Sequence, residues 1–265
     1  MPAYRSFSLI FLIIVCAVLI GLLTLYGTKF RGLGYKEWKP GAAWIRACIY
    51  FCICNIISVI TGTFDELISR PIATITQFND PTWIIFCVSC FAYIFVAYWI
   101  LWAKMTLTFD REYYLGSEIV FGLLWGFSMG QVLLSFYHLW NQTNLPVWGV
   151  YLTSYACMGT WQYFIQDYFW DIYVSPEHDT PKSIKIKTLV SHIPNVAICL
   201  LFLLLYGNYF IYLLTQIFAL VAASVFQRFP APWASGSFHA PRTKPGIFGL
   251  SHGAGYEDCN KNDVH

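Results

Sequence analysis

Charged residues are scarce. Lys, Arg, Asp and Glu make up 11% of the 265 residues, against about 25% in an average soluble domain. Hydrophobic residues make up 57%, and the mean hydropathy is +0.54. A soluble chain of this length has no means of hiding so much apolar surface, so the solvent for most of it is a bilayer. A net charge of +2 is too small to argue for nucleic acid, and none is expected as a partner. No lysine lies deep in an apolar run, which excludes a retinal Schiff base. The last apolar run has no Asn-Pro-x-x-Tyr, and the loop near residue 142 is minimal and lacks cysteine. Both absences weigh against a receptor, although Asp110-Arg111-Glu112 sits at the end of the third run. No internal repeat is visible, so one bundle is expected rather than two domains.

A disulfide framework is also missing. Of nine cysteines, Cys16, Cys48, Cys52, Cys54, Cys87, Cys90, Cys157 and Cys199 fall inside apolar segments, and Cys259 lies in a polar tail. Cys87-x-x-Cys90 has no second pair in a polar setting, so these residues read as small packing groups rather than as metal ligands. No metal site is expected.

What is present is a series of long apolar runs. Seven reach helix-spanning length, at roughly 7–27, 43–62, 83–103, 115–139, 145–167, 189–206 and 209–227. None shows strand-like alternation, so the expected fold is all-α, a seven-transmembrane helix bundle over residues 1–229. The shortest connections, Asn141–Asn144 and Tyr206-Gly207-Asn208, predict antiparallel hairpins. Residues 230–265 are rich in Gly, Pro, Ser and His and read as a largely irregular tail.

Basic residues set the expected orientation. Lys29, Arg31, Lys36, Lys39, Arg46, Lys104, Arg111, Lys182, Lys185, Lys187, Arg228, Arg242, Lys244 and Lys261 fall on one side, and only Arg5 and Arg70 on the other. The positive-inside rule then places the amino terminus in a lumen or outside and the tail in the cytosol. The first run is read as a retained span rather than a cleaved signal. A multi-pass protein of the endoplasmic reticulum is the expected setting. Asn141-Gln142-Thr143 is a glycosylation sequon on the lumenal side, close to the membrane. Asp65, Glu66 and His138 fall on that side too, the acids as solvated loop residues and the histidine in a structural role. Asn55, inside the second run, is expected to bond between helices.

The ionisable groups concentrate at the other side, in DYFWDIYVSPEHDTPKSIKIKTLVSH, residues 167–192. Asp167 and Asp171 are four apart and share a helix face. Glu177, His178 and Asp179 lie between Pro176 and Pro181, which restrict the loop. His192 opens the sixth run in His192-Ile193-Pro194-Asn195, a helix start with proline in its first turn. Counting helical rise from the turn near residue 142 puts Glu118 and Asp167 at nearly one depth. Glu118, Asp167, Asp171, His192 and Arg228 are therefore expected to ring one mouth. Acids at a membrane boundary cost about 1–3 kcal/mol each. Pairing with Lys182, Lys185, Lys187 or Arg228 is one way to offset that cost; a functional site is the other.

Aromatic residues make up 19%. Their ring faces stabilise cations, and a desolvated carboxylic acid keeps its proton near neutral pH. Such an acid can protonate an alkene or epoxide, with a carboxylate or His removing the final proton. The expected catalytic set is Glu118, Asp167, Asp171, Glu177, His178, Asp179 and His192. The expected substrate-lining set is Trp125, Gln131, Trp161, Gln162, Tyr163, Trp170, Asn195 and Arg228.

In length, seven-span plan, few intramembrane acids and aromatic walls, the chain resembles the small integral-membrane terpene cyclases of fungal meroterpenoid pathways. WDIYVSPEHDT, HIPN and RFPAPW have the look of family signatures. The resemblance implies a membrane-embedded cyclase of isomerase or lyase type, acting on an apolar isoprenoid or lipid without a cofactor. Two alternatives stay open. Asp167-x-x-x-Asp171 is similar to half of the aspartate-rich motif of membrane prenyltransferases, which hold Mg²⁺ on a diphosphate. A small-solute or proton-linked transporter can use the same acids, although no broken-helix repeat is visible.

Overall fold

The computed structural model describes residues 5–14, 40–102, 108–110, 114–162, 188–227, 231–233 and 239–242. The described residues are overwhelmingly helical. In chain order they form α1 (Arg5–Ile14), α2 (Pro40–Ile60), α3 (Thr63–Ser69), α4 (Ile75–Phe78) and α5 (Pro81–Ile94), which runs on as a π-helical segment, Phe95–Trp102. After the short strand β1 (Thr108–Asp110) come α6 (Leu115–Asn141) and α7 (Val147–Trp161). A second π-helical segment, Thr188–His192, leads into α8 (Ile193–Tyr206) and α9 (Tyr209–Gln227). Strand β2 (His239–Arg242) pairs antiparallel with β1, Phe109 opposite Pro241. Within the tail expected to be largely irregular, these four residues form a strand, which satisfies backbone groups of both segments.

Among the described residues, four helices are long and apolar enough to cross a membrane: Pro81–Leu101, Leu115–Asn141, Thr188–Tyr206 and Tyr209–Phe226. Ala47–Ile60 and Thr63–Ser69 make a fifth if the bent pair is one span. These match five of the seven expected runs. The other two are represented by α1 and α7, which border segments outside the described residues.

Local chemistry explains the helix ends. Asp80 caps α5 by accepting from the Thr82 amide at 2.9 Å, with Pro81 in the first turn. The turn after α6 closes when the Thr143 hydroxyl and amide both donate to Trp140 O. Gly207 ends α8 in the left-handed region, φ +66°, and its amide donates to Leu203 O. Both short connections make the expected antiparallel hairpins: α6 packs on α7, and α8 on α9.

The second expected span departs from a straight helix. It breaks after Ile60 and turns by 80°. The Thr61 hydroxyl donates back to Ile57 O at 2.8 Å and Ser58 O at 3.1 Å, competing with the helical ladder. Gly62 then takes φ +78°, a conformation costly for other residues. Asp65 and Glu66 consequently lie in the first turn of α3 rather than in a loop, and Glu66 pairs with Arg70 one turn on. Asn55 bonds within its own helix, to Phe51 O at 2.7 Å, and among the described residues it makes no bond to another helix.

The tightest packing joins α6 to α9. Gly122, Gly126 and Gly130 recur every four residues along α6. A Cβ at Gly122 would stand 2.6 Å from Val221 Cα, and one at Gly126 2.5 Å from Ile217 Cα. The two backbones are in direct contact, the approach that small-x-x-x-small stripes permit between membrane helices. At the turn end of the bundle, buried Asn208 ties α9 to the segment before α5. Its Oδ1 accepts from Trp83 and Gln77, and its Nδ2 donates to Ile72 O.

Candidate functional site

Besides the Asn208 network, three clusters of buried polar groups stand out among the described residues. The first is where the two π-helical segments meet. Pro194 has no N–H, so Val190 O loses the donor an α-helix would supply. Tyr93 supplies it instead, its hydroxyl donating to Val190 O at 2.8 Å. The widened turn brings His192 against Tyr98, Nδ1 to hydroxyl 2.6 Å. Asn195 and Ser191 also reach Tyr98. Asn195 Nδ2 donates to Gln216 Oε1 at 3.4 Å, and Cys199 Sγ to Asn195 Oδ1 at 3.1 Å. Tyr98, His192, Asn195 and Gln216 are all fully buried. π-Helical turns are rare and occur frequently at functional sites.

The second place is the start of α6. Glu118 is fully buried, and Ser224 of α9 donates to its backbone carbonyl at 2.6 Å. Phe121 and Trp125 follow at i+3 and i+7, so they share its face. Their rings meet edge to face at 6.1 Å, and Trp44 of α2 packs on Phe121 at 5.2 Å. A carboxyl group thus opens a short aromatic column.

The third is the break between α2 and α3. Ser58 Oγ donates to Gln131 Oε1 at 2.5 Å, and Thr61 Oγ1 bonds Ser135 at 3.2 Å and Thr63 at 2.8 Å. His138 lies one turn further along α6, its Nδ1 3.1 Å from the Tyr209 hydroxyl and its Nε2 2.6 Å from Gln142 Nε2. That pairing bears on the structural role expected of it.

Of the expected residues, Glu118, Trp125, Gln131, Trp161, Gln162, His192 and Asn195 are described, and all are buried. His192 and Asn195 come together. Trp161 donates to the Tyr50 hydroxyl at 3.0 Å and packs on Phe136, and Gln162 follows it with neither end of its amide bonded among the described residues. Glu118 and His192 sit on different helix pairs, α6–α9 and the two π-helical segments. Asp167, Asp171, Glu177, His178, Asp179, Tyr163, Trp170 and Arg228 lie outside the described residues, so the expected acidic ring is not described. Among the described residues, no group of three or more His, Cys, Asp or Glu side chains is placed to hold a metal ion.

Sequence reasoning missed Tyr98, Gln216, and the Ser58, Thr61 and Ser135 hydroxyls. A signal existed for the last three: polar residues at i and i+3 in the second run, facing Gln131 and Ser135 at i and i+4 in the fourth. Tyr98, one of eighteen tyrosines, carried none. Comparison of the chain with protein-family models, curated proteins and solved structures gives no match.

Proposed function

We propose that the chain is a membrane-embedded enzyme that starts a carbocation cascade in an isoprenoid or related lipid, with Glu118 as the proton donor. The observation that carries this reading is the fully buried Glu118 at the foot of the Phe121–Trp125–Trp44 column. The acid transfers its proton to an alkene carbon or epoxide oxygen. The substrate becomes a cation, and Glu118 becomes a carboxylate. Ring faces beside the acid stabilise positive charge as it migrates. A base takes the final proton, so the net change is isomerisation. His192, or a carboxylate from the 167–179 segment, is the proposed base. The same reading carries seven spans, a lumenal amino terminus, a cytosolic tail and an endoplasmic reticulum location.

The test is Glu118→Gln, which keeps size and removes the transferable proton. The substrate is first identified by mass spectrometry of the apolar molecule that copurifies. Turnover should fall by about 10²–10⁴-fold, the usual range for general acid catalysis, while the unfolding temperature stays near wild type. Wild-type turnover by this variant on a confirmed substrate rejects the mechanism.

A further inference from the structure

Gln131 lies about 20 Å along α6 from Glu118, at ~1.5 Å rise per residue. It belongs to a different polar site, whose chemistry is independent of the cyclase reading. The Gln131 carboxamide is fully buried. Its Oε1 accepts from Ser58, but its Nε2 meets no hydrogen-bond partner among the described residues. Turning the amide over exchanges its ends and leaves the oxygen as the orphan instead. In either setting one polar end lacks a protein partner, and buried polar groups are rarely left so.

The surroundings are polar in an otherwise apolar bundle. Ser58, Thr61, Thr63 and Ser135 are all buried, and their hydroxyls form a ladder beside the helix break. The ladder rises to His138, whose Nε2 stands 3.8 Å from where a Gly62 Cβ would be. Among the described residues no charged side chain belongs to this set, which favours a neutral ligand. The orphan amide end needs a partner, and a group that bonds both it and the Ser58 hydroxyl must donate and accept. A hydroxyl does both, and two polar partners meet the minimum for a buried water.

We propose that the α2–α3 break and the facing turn of α6 form a hydroxyl-binding site, in which Gln131 and Ser58 hold a water molecule or the alcohol group of a lipid. The break is what makes the site. A straight α2 would carry Thr61 and Thr63 on around the helix, whereas the 80° turn keeps both hydroxyls against α6. Irregular backbone within a bilayer is tolerated where it is buried in protein.

Two measurements on the full chain test this. The first is a structure in lipid nanodiscs at a resolution that shows ordered water. A compact density peak within about 3.2 Å of the Gln131 amide, retained after delipidation, supports the water form. Elongated density lost on delipidation supports the lipid alcohol. No density, with the amide turned onto a protein group, overturns the proposal. The second is thermal unfolding of Ser58→Ala/Gln131→Met, which removes the direct pair from both sides and should be nearly neutral if nothing else is bound. The Tm should fall by roughly 3 °C or more. An unchanged or raised Tm overturns the proposal.

Discussion

The Tyr98 hydroxyl and His192 Nδ1 stand 2.6 Å apart where two π-helical turns meet, although the two residues are 94 positions apart in the chain. Both side chains are fully buried. Their bond depends on the turn that Pro194 widens and Tyr93 repairs.

A double-mutant cycle should therefore show coupling. Tyr98→Phe and His192→Gln each remove the same bond from a buried network, a change that costs about 1–3 kcal/mol. The double variant should lose less than the sum, by about 0.5–3 kcal/mol. Thermal unfolding in one detergent measures this, and strict additivity would show that the pair does not act as a unit.

The α6–α9 contact predicts a sharp contrast between two glycines. Gly126→Ala forces a Cβ against Ile217 backbone and should destabilise by about 1–3 kcal/mol, the usual cost of overpacking. Gly116, on the same helix, has nothing within 4 Å of its Cβ position. Gly116→Ala should be neutral, or stabilising by about 0.5–1 kcal/mol. Equal unfolding temperatures for the two variants would show that the backbones do not touch.

Chelation separates the proposed acid–base enzyme from the Mg²⁺-dependent alternative. Turnover should survive EDTA. Loss in EDTA with recovery on adding Mg²⁺ would assign Asp167 and Asp171 as metal ligands on a diphosphate.

The proposed orientation has its own check. A tag after His265 should be cleaved by protease added to sealed microsomes with the cytosolic face outward. Protection of the tag would reverse the assignment from the basic loops.

Much of the helical layout was legible before any coordinates. The runs beginning near 83, 115, 189 and 209 match described helices within a few residues, because a bilayer demands about twenty apolar residues per crossing whatever their neighbours. Gly207 and the 141–144 turn were readable for a similar reason, since positive φ and hairpin turns favour particular residues locally. Site legibility was narrower. Glu118 and His192 were legible as polar residues near the ends of apolar runs, but their complete burial was not. Nor was the partner of His192.

By itself the sequence determined that the chain carries helices long and apolar enough to cross a membrane, the helical class, the approximate run ends and which ionisable residues stand in apolar surroundings. Each depends on composition or on spacing within one helix. Only the tertiary structure decided that α2 turns by 80°, that α6 lies backbone to backbone on α9, that β2 returns to β1, and that Tyr98 meets His192 while Ser58 meets Gln131. The last two bonds join residues 94 and 73 positions apart. Helical periodicity says which face a side chain is on, but it carries no information about which face of another helix is packed against it.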